Sequence, residues 1–233
     1  MKQFSNRYIF IFSSVMVIIV ATVLSMAATL LQPLQLKNLE IEKKKSMLES
    51  LNIPVNRNNA EELYDKYIKE SFVLNTKGEV KDGVDPFEVE LKLEQKKALD
   101  DQNLPVFIGT PDDGEKVLIF PLEGKGLWGP IYGYIALKSD LNTIYGITFD
   151  HKGETPGLGA EINTTEFESQ FIGMKLFEAG NFVSVKVLKS NEKPIENHGV
   201  DGISGGTITS KGLEKMLFDC LLKYEGYLKT NAK

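Results

Sequence analysis

From Tyr8 to Leu31 the chain reads YIFIFSSVMVIIVATVLSMAATLL, a run without a charge, a proline or a glycine. At about 1.5 Å per residue a helix of this length exceeds the ~30 Å hydrocarbon core of a bilayer, so it can span with some tilt. The run therefore reads as a transmembrane helix. The competing reading is a cleaved signal peptide, with Lys2 and Arg7 as a basic start and Ser25, Ala27 and Ala28 as small residues near the end. Signal cores extend over only about 7–15 apolar residues, which favours a retained anchor. Charge leaves the orientation open. Lys2 and Arg7 flank one end, and Lys37, Lys43, Lys44 and Lys45 follow the other, diluted by Glu40 and Glu42. Bases alone would keep the C-terminal part in the cytoplasm, yet large domains translocate largely regardless of loop charge.

The remaining chain is long enough for one hydrophobic core with an appendage, since the whole has 233 residues of which 42% are hydrophobic. A net charge of -5 gives no basic field for nucleic acid phosphates. One cysteine, Cys220, and two histidines, His151 and His198, allow no internal disulfide and offer too few soft ligands for zinc. Cys220 falls in an amphipathic helix, as a packed thiol would.

Residues 34–51 read as a helical stalk, ended by Asn52–Pro54, and a short helix follows at Ala60–Ser71, capped by Asn58 or Asn59 with Glu61 and Glu62 in its first turn. Beyond it the texture changes to β-prone runs between Gly, Pro, Asn and Asp, at 104–109, 116–121, 131–138, 143–149 and 182–188. A helix at Thr164–Gly173 interrupts them and a longer one closes the chain at Thr209–Leu228. In that last helix Leu213, Met216, Leu217, Cys220, Leu221 and Tyr224 form one apolar stripe. The class is α+β, a mostly antiparallel sheet with packed helices behind a single N-terminal transmembrane helix.

Three glycine-rich segments hold the candidate chemistry. Gly124, Gly126 and Gly129 match the dinucleotide-binding spacing, but Pro130 and a strand-like run follow where that fingerprint needs a helix. GKGLWGPIYG reads better as a bend between strands with Trp128 at its tip. His151–Glu161, HKGETPGLGAE, is a loop that is either a tight turn or a ligand cradle. Neither histidine has a partner for acid or base work, so a hydrolytic triad is unsupported. In Asp201–Ser210, DGISGGTITS, glycines free the backbone and four hydroxyls cluster where the last helix begins. Free N–H groups and the helix dipole there suit a phosphate, although the residues alone favour an ordinary Ser/Thr cap.

Together GKGLWGPIYGYIAL at 124–137, ETPGLGAE at 154–161 and DGISGGTITS at 201–210 resemble, in the same order, the C subunit family of the sodium-translocating NADH:quinone oxidoreductase (Na+-NQR), whose members carry an FMN-binding domain. The resemblance implies an FMN covalently attached through its phosphate to a threonine within the pattern Asp, two residues, Ser or Thr, Gly, Ala, Thr. In this chain that threonine is Thr207, with Asp201 upstream and Gly206 where the pattern usually has alanine.

By the same analogy Ser204, Gly205, Gly206 and Thr209 surround the phosphate, Glu154, Thr155, Gly157, Leu158 and Gly159 cradle the ring, and Lys125 to Trp128 form a neighbouring wall. A threonine hydroxyl is a poor nucleophile without a base, and none is evident beside Thr207. The resemblance accordingly implies a flavin transferase with FAD as donor.

The implied role is electron transfer in a bacterial inner-membrane complex that oxidises NADH, reduces a quinone such as ubiquinone and exports sodium. Its partners would include a second FMN-carrying membrane subunit and a NADH-binding iron–sulfur subunit; this chain would bind no NADH. The implied domains are a cytoplasmic N-terminus at 1–7, the span at 8–31, a helical stalk and short helices at 32–75 and an extracytoplasmic, periplasmic FMN-binding domain at 76–233. Two other readings are the G subunit of a ferredoxin-linked Rnf complex and, from a different class, a membrane-tethered binding or scaffold domain.

Overall fold

The structure, a computed structural model, describes residues 5–189 and 191–232. They fall into two compact units, the first ending at Lys43 and the second running from Lys44. Lys2, counted above among the bases before the span, lies outside the described residues.

Among the described residues the first unit is helical from Asn6 onward. It is the greater part of α1 (Asn6–Ser50), which runs unbroken past Pro33, the point at which the sequence separates span from stalk. Its best 18-residue window has a mean hydropathy of 2.6 and no buried residue, as expected of a helix whose surroundings are lipid. The hydroxyls of Thr22 and Thr29 donate back to the carbonyls of Ile18 and Ser25, so they are satisfied within the helix itself.

In the second unit, α2 (Ala60–Tyr67) ends four residues before the expected Ser71. The segment IKESFVL is instead β1 (Ile68–Leu74), because Val73 and Leu74 reach buried positions and the strand pairs along its length with β3 (Leu104–Gly109). The sheet thus begins within the 32–75 segment read as stalk and helices. A short β2 (Val80–Lys81) pairs on one side of β1, and α3 (Leu91–Glu94) precedes β3. β4 (Val117–Lys125), β5 (Pro130–Leu137) and β6 (Ile144–His151) complete an antiparallel sheet of order β2-β1-β3-β4-β5-β6.

Strand periodicity divides the buried residues between two faces. Leu104, Val106 and Ile108 of β3 and Leu118, Phe120 and Leu122 of β4 enter the larger core, and Phe107, Val117 and Ile119 enter the smaller one with Met47 and Leu48 from the end of α1 and Leu51 just beyond it. Burial on both faces explains why β3 is apolar without interruption.

After β6 come α4 (Thr165–Ser169), whose Thr164 cap accepts from the Phe167 N–H, and the small hairpin β7 (Phe177–Glu178) and β8 (Asn181–Phe182). The single strand expected at 182–188 is broken. Ser184 has φ +59° and, like Val183, gives its N–H to the Leu176 carbonyl, so pairing resumes only in β9 (Lys186–Leu188), which runs parallel to β10 (Gly199–Asp201).

The terminal helix starts earlier and ends sooner than its periodicity suggests, as α5 (Thr207–Leu222) followed by α6 (Glu225–Asn231). The break falls at Tyr224, which is buried edge-on against Phe120 and donates its hydroxyl to the Pro105 carbonyl. The apolar stripe of α5 lies on the sheet, so closely that a Cβ on Gly124 would sit 2.6 Å from Met216 Cβ. Gly124 therefore serves helix–sheet packing, and no helix opens after Gly129.

Candidate functional site

The three motifs become three loops. Residues 126–129 close the β4–β5 hairpin, with the Gly126 N–H donating to the Gly129 carbonyl at 2.8 Å and Trp128 71% exposed at the tip. The chain after β6 turns at Thr155–Leu158, where Gly157 has φ +75°, and continues as one 3-10 turn over Gly159–Asn163. The third loop leads from β10 through Gly205, with φ +74°, into α5.

One carboxylate joins them. Glu154, only 5% exposed, accepts from the Trp128 N–H at 2.8 Å and, at 3.4 Å, from the Gly129 N–H on Oε1, and from the Thr209 hydroxyl at 2.6 Å on Oε2. Its own N–H donates to His151 Nδ1 at 3.2 Å. Burial by itself would raise this carboxyl, but the bonds from Thr209, Trp128 and Gly129 and the charge interaction with His151 outweigh it and hold Glu154 below the usual carboxylate range. Two glycines leave it room, since a Cβ on Gly126 or Gly159 would lie 2.5 or 2.6 Å from its oxygens.

Thr207 is the first residue of α5 and exposed. Gly206 provides no side-chain cap, so the first-turn N–H groups are available to an anion. Beside Thr207 a cavity of about 220 Å³ is lined by Ser204, Ser210, Lys189, Asn191 and Lys211 among others. The Lys211 ammonium lies 2.9 Å from the Val187 carbonyl and from Glu214 Oε2, and Glu214 in turn accepts the Val187 N–H at 2.7 Å, clamping β9 to α5. Among the described residues none forms a hydrogen bond with the Thr207 hydroxyl, so none is placed as a base to activate it. An exposed hydroxyl at an uncapped helix start, beside a cavity with two lysines, fits the phosphate end of FMN.

The motif residues thus meet, with different placements. Ser204, Gly205, Thr155, Gly157, Leu158, Lys125 and Trp128 are exposed, while Gly206, Gly159, Thr209 and Glu154 are buried. Thr209, the other hydroxyl of the first turn, is 1% exposed and engaged with Glu154. Glu154 itself, expected in the cradle of the ring, has both oxygens occupied by protein donors. The link between residues 154 and 209 and the clamp by Glu214 are not legible in the sequence, because they join segments far apart along the chain. The glycines at 126 and 159, which make space for the carboxylate, were the available clue.

The FMN-binding domain family matches over residues 126–222, a range that contains all three loops. The C subunit of the Na(+)-translocating NADH-quinone reductase of Haemophilus ducreyi is 33% identical over 212 residues, covering 84% of this chain and 82% of that protein. The protein of the same name from Pseudomonas aeruginosa is also 33% identical, with 82% of each covered. The crystal structure of the same subunit from Parabacteroides distasonis superposes with a TM-score of 0.78 at 44% identity, covering 85% of this chain and 96% of the other. That of Shewanella oneidensis NqrC gives 0.67 at 26% identity, with 82% and 96% covered.

Proposed function

The chain belongs to the C subunit family of the Na+-translocating NADH-quinone reductase, and from that premise we propose that it holds its FMN through a phosphodiester on Thr207. It is an FMN-carrying subunit of a membrane-associated, multi-subunit enzyme, and its N-terminal helix suits a single-pass anchor. The observation that carries the attachment site is the exposed Thr207 hydroxyl at the uncapped start of α5, whose neighbouring rival, Thr209, is buried.

FMN, once bound, supplies the redox chemistry. The protein supplies the rest. Thr207 tethers, Ser204, Gly205 and Gly206 keep the approach to the phosphate open, Lys211 and Lys189 offset its charge, Leu158 offers apolar surface beside Gly205, and Trp128 is exposed at the tip of the β4–β5 hairpin. Attachment requires a separate flavin transferase acting on FAD. The bond formed is Thr207 Oγ–P, the bond broken is the P–O bond of the pyrophosphate, AMP leaves, and the hydroxyl proton passes to a base of the transferase. Within the complex the chain carries electrons between NADH and quinone, alongside a NADH-binding iron–sulfur subunit and a second FMN-carrying subunit, in a reaction coupled to sodium export. Its domain lies on the extracytoplasmic side of a bacterial inner membrane, where a covalent link prevents loss of the cofactor.

Co-expression with a flavin transferase, followed by intact-mass measurement and peptide mapping, tests the attachment. The wild-type chain should gain the mass of one FMN on the peptide containing Thr207, Thr207→Ser should retain labelling, and Thr207→Val should lose it. Unmodified wild-type protein, or labelling that persists in Thr207→Val, would refute this site.

A further inference from the structure

Glu154 lies at the junction of all three loops, yet its carboxylate faces protein on every bonded side. Trp128 and Gly129 approach one oxygen through their N–H groups, and Thr209 approaches the other through its hydroxyl. Three converging donors suit a group that only accepts. The first turn of α5 lacks a side-chain cap, so its rotation is set by contacts further in: Thr209 to Glu154, and the Ser210 hydroxyl, which accepts the Ile203 N–H at 3.2 Å. Successive helical residues are turned by about 100°, which places residues 207 and 209 on nearly opposite sides of the helix. Drawing Thr209 inward therefore turns Thr207 outward, as their burial and exposure show.

We propose that Glu154 is a positioning residue, a bracket that ties the Trp128 bend to the first turn of α5 and so holds Thr207 outward for the flavin transferase. The inference rests on Thr207 being the tether. What matters is reach. A glutamine at 154 can still accept from both N–H groups and donate its amide to Thr209 Oγ1, because the hydroxyl can rotate to accept. Aspartate keeps the charge, but one methylene shorter it cannot bridge both sides. A role based on charge would give the opposite ranking.

The full-length chain in detergent, carrying Thr207→Val so that no flavin can be attached, allows the bracket to be tested alone by hydrogen exchange at the Trp128 and Gly129 amides. Glu154→Ala and Glu154→Asp should accelerate exchange about tenfold or more, as expected when the two N–H groups lose a well-placed acceptor. Glu154→Gln should stay within about threefold of the parent, and Thr209→Val, which does not touch the bend, should accelerate exchange in the same direction as alanine. In chains with Thr207 intact, the initial rate of FMN attachment should follow the same order, slow for Ala and Asp and near wild type for Gln. The reverse ranking, with Asp retained and Gln impaired, or exchange unchanged in every variant, would overturn the bracket. Should Glu154→Ala fail to fold, the Asp and Gln pair still decides. Failure of wild-type Thr207 to accept FMN would overturn the tether while leaving the exchange result to stand or fall by itself.

Discussion

Leu158 fills the space left by the absent side chain of Gly205, where a Cβ would lie 2.6 Å from Leu158 Cδ2. The loop after β6 and the loop before α5 are in contact through this pair, and Gly205 also holds φ at +74°. The backbone angle favours glycine at position 205, and a larger residue there would also have to displace the end of the Leu158 side chain. Gly205→Ala should destabilise the domain by about 1–2 kcal/mol through the left-handed backbone alone and should slow FMN attachment at Thr207. Adding Leu158→Ala should relieve the overlap and recover part of the attachment rate without recovering the backbone cost. Thermal unfolding and labelling rates for the single and double variants would measure the two parts.

Glu168 on α4 accepts the Phe149 N–H at 2.7 Å from β6. Burial pushes its carboxyl up to about 7 against a usual 4.5; the Phe149 and Thr148 bonds oppose the rise, and the nearby charges of Glu49 and Asp150 add to it. The folded state therefore holds this proton more tightly than the unfolded chain. The contribution is fully present below about pH 4.5, falls as pH rises toward 7, and is lost above it. Glu168→Gln, which keeps an acceptor for Phe149, should remove that decline. Relative to wild type its urea midpoint should be higher at about pH 8 and differ least below about pH 4.5. A difference independent of pH would contradict the assignment.

Glu214 holds the N–H of buried Val187, and the Lys211 ammonium reaches the Val187 carbonyl, so one turn of α5 secures both sides of a residue in the strand flanking the candidate phosphate site. Glu214→Ala leaves that N–H without its partner and should cost about 1–3 kcal/mol. Faster amide exchange in β9, with little change in β4, would locate the loss.

The orientation of the anchor can be read directly. Arg57 is exposed between α1 and α2, and the native thiol, Cys220, is buried at 5% exposure, so an added cysteine would report without background. Arg57→Cys should react with a membrane-impermeant maleimide in cells with a permeabilised outer layer. Reaction only after lysis would place the domain in the cytoplasm.

The sequence by itself determined the N-terminal apolar helix, because a run without charges, proline or glycine has one stable conformation in lipid and needs no partner to specify it. It also determined the strands with strong local patterns, as at 104–109, and the apolar stripe of the last helix, and the order of three glycine motifs pointed to their family. Local pattern was insufficient where distant contacts outweighed it. Ile68–Leu74 becomes a strand because β3 offers a partner, the segment after Phe182 breaks because Leu176 accepts two of its N–H groups, and α5 ends where Tyr224 reaches Pro105. The motif order pointed to Thr207, but only the tertiary structure showed how differently the two hydroxyls are placed. A carboxylate 55 positions before Thr209 holds that hydroxyl inward, while Thr207, two residues earlier, is exposed.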